Sequence, residues 1–465
     1  MDSGRDHGTS HSPSLTGSRF RPEIEGLRAV AVLSVVIFHI WPSVLSGGYV
    51  GVDIFFVISG YLITRNLMSE VERTGKLSLR NFYIRRFRRL MPVALLVLTC
   101  VGLFAYLLPP QRWHGLSVEI FASAFYFENW WLAAQSVNYL QADEAASPVR
   151  HYWSLSIEEQ FYIVWPLMVC LGAVLLRNRA RARSWFIRIC VIVIFCVSLW
   201  YSVTLTRSDP TIAYFVTPAR IWELALGAIV ALFRPLPIRI GRAADVIAAI
   251  AVGAMIGSGV IFDANTSFPG YAALLPTVAC ALVLLFAAPG GRAGTYALLS
   301  ARPSRYIGST SYSQYLWHWP VIIFYIELTG AQPGWAEGII LLQATLLLAH
   351  LSKVGVEDVF RVHGSDAPKA NVKVLGGAVI ACVAAAGAIQ ATLYVTSARA
   401  KGVEPTLYPG AAAFRPGVVV EDAPVRPHFA YALNDNPEIY VRGCHLSRNE
   451  DMPEICRFNE GGRFK

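Results

Sequence analysis

The sequence is poor in charged residues, which make up only 15% of its 465 positions, whereas soluble domains carry about 25%. Hydrophobic residues make up 54%, and they are concentrated in blocks of about 20 residues, the length that crosses a bilayer as one helix. These blocks begin at Leu27 and end near Tyr394, with short polar gaps between them. A soluble globular enzyme is therefore excluded, and the composition predicts an all-α, polytopic bundle of transmembrane helices.

The sequence also lacks a signal-peptide pattern and an internal repeat of fixed period. Residues 1–20 are rich in Ser, Gly, His and Arg without an apolar run, so we expect a disordered cytoplasmic tail. The absence of a repeat gives no support to a transporter built from repeated halves. The net charge of +9 comes from Lys and Arg clustered between apolar blocks. We therefore attribute it to membrane topology rather than to nucleic-acid binding.

Twelve apolar blocks are candidates for membrane spans. They lie near residues 27–45, 50–68, 91–108, 117–134, 153–176, 185–205, 213–233, 243–262, 271–288, 307–328, 335–352 and 375–395. Arginine favours cytoplasmic loops. Four loops are rich in arginine, and all four are therefore expected to be cytoplasmic; they lie at residues 80–89, 177–183, 234–242 and 292–305.

The number of spans follows from parity, because two cytoplasmic loops are separated by an even number of crossings. Three blocks lie between the first two arginine clusters, so one of them does not span. The weakest, 117–134, carries Glu119, Glu128 and Asn129, and we expect it to be re-entrant or interfacial. About eleven spans remain, with the N-terminus cytoplasmic and the C-terminus outside. Residues 361–395 are then a cytoplasmic loop and the eleventh span.

The last segment, residues 396–465, contains seven prolines and little apolar periodicity. It is predicted to be a short extracytoplasmic tail, either a linker or the first part of an outer domain. Six of the eight cysteines lie inside apolar blocks, whereas Cys444 and Cys456 lie in this tail. Because the outer compartment is oxidising, these two are the pair expected to form a disulfide.

The first span carries two ionisable residues, Arg28 and His39, eleven positions apart. This spacing is about 1100°, or three turns plus about 20°, so both side chains share one helix face. Ionisable groups inside a span are usually functional, although Arg28 could snorkel and His39 could be a structural core histidine. Asp53 begins the second span near the depth of His39, where it would orient the imidazole or merely cap its helix.

Further polar residues lie inside later spans. Adjacent carboxylates cannot share one helix face, so we expect Glu158 to face the interior and its neighbour to face headgroups or water. Arg220 and Glu223 are spaced i, i+3 and form either a structural ion pair or part of the chemistry. Tyr315 and His318 lie in an aromatic stretch that an interfacial belt would also explain.

The basic run at residues 85–89 contains Arg85, Arg86, Arg88 and Arg89. A topogenic cluster is the common explanation of such a run. Guanidinium groups at i, i+3 near the start of a helix also suit bidentate phosphate binding. Together with an interior histidine, a cytoplasmic phosphate site suggests a coenzyme thioester as an acyl donor.

Six ordered motifs within about residues 20–360 closely resemble the acyltransferase 3 family of membrane proteins. They are Arg28-x10-His39, GGYVGVDIFFVISGYLI, FYIRRFRRLMP, HYWSLSIEEQFYIVWPL, PARIWELALGA and SYSQYLWHWPVI. The resemblance implies a membrane domain at residues 21–360 that is an O-acyltransferase. Such enzymes transfer an acyl group, most often acetyl from cytoplasmic acetyl-CoA, to carbohydrate of the cell envelope.

The resemblance also implies roles for individual residues. Arg28 and His39 correspond to the essential pair, and Glu158 corresponds to the acidic residue of the third motif. Two overlapping pairs fit the Arg-x-x-Arg motif that engages the donor: Arg86 with Arg89, and Arg85 with Arg88. No metal and no permanently bound cofactor are expected, and acetyl-CoA or another short acyl-CoA is the expected co-substrate.

In one branch of the family, an eleventh span leads to an extracytoplasmic SGNH domain that completes transfer. The stretch from Gly443 to Cys456 resembles the linker before that domain, and no Gly-Asp-Ser-His block follows it. Either the sequence is truncated before that domain or a separate SGNH-type protein supplies the step. In the second case that protein is an expected partner, besides acyl-CoA and the lipid bilayer. The expected acceptor is an envelope glycan, lipopolysaccharide, peptidoglycan or glycolipid, and the expected location is a bacterial inner membrane.

The mechanistic hypothesis is that Arg86 and Arg89 hold the coenzyme phosphates while the pantetheine arm enters the bundle. His39 would then act as a general base or as a transient acyl carrier. The alternative is a proton-coupled transporter or flippase of a lipid-linked sugar, in which His39, Asp53 and Glu158 relay protons. The compact arginine cluster and the lack of repeats favour the acyltransferase.

Overall fold

The computed structural model describes residues 21–136, 146–233, 242–287, 294–362 and 368–400. These ranges form sixteen α-helices and no β-strand, which confirms the all-α prediction. The helices are α1 (Pro22–Ile40), α2 (Gly51–Thr74), α3 (Leu79–Phe104), α4 (Trp113–Ala124), α5 (Glu128–Ser136), α6 (Tyr152–Leu175), α7 (Ala180–Ser208), α8 (Pro210–Phe215), α9 (Thr217–Leu232), α10 (Arg242–Ile261), α11 (Leu274–Phe286), α12 (Thr295–Leu299), α13 (Arg302–Thr329), α14 (Trp335–Ser352), α15 (Asp358–Val362) and α16 (Pro368–Ala400). A π-helical turn, Lys353–Glu357, joins α14 to α15. The predictions for residues 1–20, for the tail after residue 400 and for the Cys444–Cys456 disulfide lie outside the described residues.

Seven helices of the described ranges are long and apolar enough to cross a membrane: α2, α3, α6, α7, α10, α14 and α16. Helix α1 has 19 residues, but Glu23, Glu25 and Arg28 lie in its first two turns. The protein is thus a multi-pass membrane protein. The count of eleven spans stays a prediction.

The segment 117–134 does not form one continuous helix. It is divided between α4, which has 12 residues, and α5, which has 9. Tyr126 lies between them with a φ angle of 57°, a left-handed conformation that interrupts a helix. At 1.5 Å per residue, the two helices are about 18 and 14 Å long, so neither crosses a hydrocarbon core of about 30 Å. The depth of this segment in the membrane stays a prediction.

Local sequence signals set the ends of the helices that line the site. Gly75 and Gly330 end α2 and α13 with φ angles of 70° and 69°, a conformation that glycine adopts without strain. Ser78 caps the start of α3, because its hydroxyl accepts a hydrogen bond of 3.4 Å from the backbone N–H of Asn81. These ends therefore follow from residues that are close in sequence.

Helix α2 lies at the centre of the bundle, where it packs against α9, α1, α11 and α6. Its contact with α9 depends on Gly60 and Gly227. A Cβ atom on Gly60 would lie 1.9 Å from the carbonyl oxygen of Leu224, and one on Gly227 would lie 2.0 Å from that of Val57. The two glycines therefore let the helix backbones approach more closely than any other residue would allow.

We expect Gly227→Ala to lower the free energy of unfolding by about 1–3 kcal/mol, the usual cost of overpacking. The added methyl meets backbone rather than a movable side chain, so α2 and α9 must separate. Thermal unfolding in detergent measures the change. Gly253→Ala in α10 is the matched control, because a Cβ there has nothing within 4 Å. Equal unfolding midpoints for the two variants would contradict this packing.

Candidate active site

The helices enclose a large cavity of about 450 Å³ between α1, α2, α3, α6, α13 and the π-helical turn. We call it the arginine cavity. Its charged lining residues are six cations and three carboxylates: Arg21, Arg28, Arg65, Arg86, Arg89, Lys353, Glu25, Glu158 and Glu357. The excess of positive charge favours an anionic ligand.

A smaller cavity of about 210 Å³ adjoins it, and we call it the histidine cavity. Its lining combines His39, Arg150, His151 and two valines with six aromatic side chains: Tyr49, Trp153, Tyr214, Phe215, Tyr315 and Trp319. A mainly aromatic wall with a few convergent polar groups is typical of small-molecule sites.

Helix α3 directs two of its arginines into the arginine cavity. Arg86 and Arg89 lie three positions apart on one helix face, and both line the cavity. Arg85 instead points outward, with 62% of its side chain exposed and its Nη2 atom 3.1 Å from Glu70 Oε2. Arg88 is not among the cavity-lining residues. Of the two overlapping Arg-x-x-Arg pairs, Arg86 with Arg89 is the one that meets the cavity.

Glu158 of α6 also faces the arginine cavity. Ser59 Oγ donates a hydrogen bond of 2.5 Å to Glu158 Oε1, and the Tyr162 hydroxyl donates another to the same oxygen. Arg86 Nη2 lies 3.8 Å from it, and the guanidinium group lies 3.7 Å from the centre of the Tyr162 ring. These contacts hold the carboxylate and the guanidinium in one cluster. The adjacent Glu159 lines a separate, largely aromatic cavity.

Helix α1 supplies one predicted residue to each cavity. Arg28 lines the arginine cavity, with its Nη1 atom 3.1 Å from Glu25 Oε2. His39 lines the histidine cavity. The two residues share a helix face but are separated by a rise of about 16 Å, so α1 extends along both cavities.

His39 is held by a hydrogen-bond chain from α13. His318 Nδ1 lies 2.6 Å from the carbonyl oxygen of Tyr315, which only accepts, so this nitrogen carries a proton. His318 is fully buried, which favours the neutral ring, so its Nε2 accepts. Because this atom lies 3.0 Å from His39 Nδ1, His39 donates the bond. The unprotonated nitrogen of His39 is therefore Nε2, which can accept a proton or attack a carbonyl carbon.

Asp53 does not contact His39, so its predicted role in orienting the imidazole is wrong. Its Oδ1 atom lies 3.1 Å from Arg220 Nη2, and Arg220 Nη1 lies 3.3 Å from Glu223 Oε1. All three side chains are fully buried and line neither cavity. The physical reason is that α9 crosses α2 here, and a buried guanidinium requires carboxylate partners. His318 takes the place that Asp53 was predicted to fill.

Comparisons with known proteins identify the family of this chain. The sequence model of the acyltransferase 3 family, described as an acyltransferase domain, matches residues 21–352. The chain belongs to the acyltransferase 3 family.

Relatives of this family member include the peptidoglycan O-acetyltransferase OatA of Listeria monocytogenes, 32% identical over 357 residues, with 74% of this chain and 56% of that protein covered. The O-acetyltransferase OatA of Staphylococcus aureus is 32% identical over 362 residues, with 75% of this chain and 58% of that protein covered. The chain thus spans somewhat more than half the length of these relatives. No solved structure matches it.

The site residues of this acyltransferase 3 family member that were not assigned a role from sequence include Ser59, Tyr162, Lys353 and His151. Tyr162 could have been found, because it lies at i+4 from Glu158 on the same helix. Ser59 and Lys353 come from α2 and from the turn after α14. No local spacing relates them to Glu158, so only the packing of distant helices reveals them.

We expect Arg220→Met to lower the free energy of unfolding by about 3–5 kcal/mol, because two buried carboxylates lose their cation. Denaturation with sodium dodecyl sulfate in mild detergent measures the loss. Arg207→Met in the neighbouring α7 is the control; it removes an exposed arginine and should change stability by no more than about 0.5 kcal/mol. The triple variant Asp53→Asn/Arg220→Met/Glu223→Gln should recover part of the loss. Equal stability of the two single variants would contradict the structural role of Arg220.

Proposed function

We propose that this chain is a membrane O-acyltransferase that moves an acetyl group from cytoplasmic acetyl-CoA to a hydroxyl destined for the cell-wall glycan. One observation carries the proposal: a cation-lined cavity adjoins a cavity that holds a hydrogen-bonded histidine. The names of the two relatives, both O-acetyltransferases, support acetyl as the transferred group. The name peptidoglycan O-acetyltransferase supports a cell-wall acceptor.

The arginine cavity is the proposed donor site. Coenzyme A carries several phosphate charges, and guanidinium groups bind phosphate bidentately. Arg86 and Arg89 supply two such groups from one helix face, and Arg28 supplies a third from α1. Phosphates bound here leave the thin pantetheine arm to extend between α1, α2 and α6 towards the histidine cavity.

The histidine cavity is the proposed site of acyl transfer. His39 Nε2 removes the proton from the acceptor hydroxyl, and the hydroxyl oxygen attacks the carbonyl carbon of the thioester. The new carbon–oxygen bond forms as the carbon–sulfur bond breaks. The departing thiolate takes the proton from His39, so the products are an ester and free coenzyme A. The hydrogen bond to His318 keeps His39 in the tautomer that this sequence of steps requires.

The arginine clusters support an orientation for this chemistry. Arg86 and Arg89 belong to the cluster at residues 80–89, which the positive-inside rule assigns to the cytoplasm. We therefore propose that the arginine cavity opens to the cytoplasm of a bacterium and that the histidine cavity lies in the outer half of its inner membrane. The coenzyme then never has to cross the membrane, because its phosphates stay at the cytoplasmic side and only the acyl-bearing end of the pantetheine arm reaches His39.

The acceptor hydroxyl belongs either to the glycan itself or to a serine of a separate SGNH-type protein that passes the acyl group on. Both present the same chemical group to His39. Incubation of the purified chain with labelled acetyl-CoA, and either peptidoglycan fragments or a purified SGNH-type protein, distinguishes them. Mass spectrometry then identifies which molecule carries the label.

We expect His39→Ala to lower the turnover of acetyl-CoA by about 10²–10⁴-fold, the usual contribution of a general base. Release of free coenzyme A thiol by the detergent-purified chain measures turnover. His350→Ala is the matched control, because His350 is exposed on α14 and lines neither cavity.

Undiminished turnover in His39→Ala would contradict the assignment. A covalent acyl-histidine trapped by mass spectrometry would replace the general-base step with a carrier step. Transport of a lipid-linked sugar without any thiol release would favour a transporter.

We expect Arg86→Ala and Arg89→Ala each to raise KM for acetyl-CoA by about tenfold or more, the effect of losing one charge-assisted hydrogen bond. Steady-state thiol release at varied acetyl-CoA concentration measures the change. Arg85→Ala is the control, because this side chain points away from the cavity. Similar KM values for all three variants would argue against donor binding in the arginine cavity.

A further inference from the structure

Two residues, Val52 of α2 and Tyr315 of α13, line both the arginine cavity and the histidine cavity. Both are nearly buried, with 5% and 7% of their surfaces exposed. They therefore form a thin wall between the two cavities, with a face towards each. A group that passes from Arg86 to His39 through these two cavities passes between or beside these two residues.

The Val52 side of the wall is fixed by its two neighbours in sequence. Gly51 packs so closely on α1 that a Cβ atom there would lie 2.2 Å from the carbonyl oxygen of Ala31. Asp53 is held by its buried ion pair with Arg220. Because both adjacent residues are held in place, the backbone at Val52 cannot move away from the wall without breaking the contacts of α2 with α1 or α9.

The Tyr315 side of the wall is fixed by three hydrogen bonds. The hydroxyl donates to the carbonyl oxygen of His151 at 3.1 Å and bonds Ser154 Oγ at 2.7 Å. The backbone carbonyl accepts the bond from His318 Nδ1. The residue that closes the wall is thus also the residue that orients the histidine pair.

We propose that Val52 and Tyr315 form the passage crossed by the acyl group and that the Val52 side chain sets the largest acyl group that reaches His39. The inference rests on the proposed function and names the residue that selects the acyl donor. Both residues of the wall are held in place by their neighbours, so the wall cannot widen easily. It therefore accommodates a longer acyl chain poorly, because well-packed interiors resist added methylene groups. Short acyl groups, acetyl above all, pass most readily.

The test compares thiol release from acetyl-CoA, propionyl-CoA and butyryl-CoA by the detergent-purified chain, with peptidoglycan fragments as acceptor in one series and a purified SGNH-type protein in a second. Val52→Ala should raise the ratio of kcat/KM for butyryl-CoA to that for acetyl-CoA by about tenfold or more, since one methylene in a tight site changes specificity by about 10- to 200-fold. Val52→Leu should lower kcat for acetyl-CoA while leaving its KM within about twofold. Tyr315→Phe keeps the aromatic ring and the backbone carbonyl but removes the two hydrogen bonds of the hydroxyl, so the ring can move. Because the ring still occupies the wall, the butyryl-CoA to acetyl-CoA ratio should rise less than in Val52→Ala.

Val57→Ala is the matched control, because Val57 is a fully buried valine of the same helix that lines neither cavity. Each ratio is taken within one preparation, so a loss of folded protein cancels. An unchanged ratio in Val52→Ala, or the same rise in Val57→Ala, would overturn the inference while leaving acyl transfer intact. Absence of thiol release from all three donors by the unaltered chain, with either acceptor, would overturn the proposed function and this inference together.

Discussion

The ion pair between Asp53 and Arg220 is the interaction on which the arrangement of this bundle depends. It joins α2 to α9 in the interior, where charge without a partner is strongly unfavourable. Four aromatic rings surround the guanidinium at 5.3–5.7 Å and exclude water from the pair. Helix α2 also carries Val52, which lies in the wall shared by the two cavities, and Ser59, which bonds Glu158 in the arginine cavity. The ion pair that holds α2 in place therefore positions residues of both cavities.

The separation of the two cavities matches two incompatible chemical requirements. A phosphate-bearing donor needs a concentration of positive charge, whereas a histidine that accepts a proton works best away from such charge. In the proposed reaction these tasks divide along α1: the arginine cavity is lined by Arg28 and five further cations, whereas the histidine cavity is lined by His39 and one arginine, Arg150. In the proposed reaction, a small, uncharged acyl group passes the wall that the two cavities share.

Tyr315 links the two tasks because its atoms act in both. Its ring forms part of the wall, its hydroxyl is held by α6, and its carbonyl determines which nitrogen of His318 carries a proton. The tautomer of His39 follows from that of His318. A single residue on α13 therefore connects the shape of the proposed passage with the proposed proton transfer at His39.

The sequence by itself determined the all-α membrane class and, through six ordered motifs, the family. Both depend on contiguous residues: the apolar length of a segment and the spacing of side chains along one helix. It also predicted site roles for Arg28, His39, Glu158 and the basic run on α3. Of these residues, Arg28, Glu158, Arg86 and Arg89 line the arginine cavity and His39 lines the histidine cavity. Only the tertiary structure decided that Arg86 and Arg89 face the cavity, that Asp53 pairs with Arg220, and that His318 orients His39. Those partners lie on helices far apart in sequence, and the crossing of the helices, rather than any local spacing, brings them together.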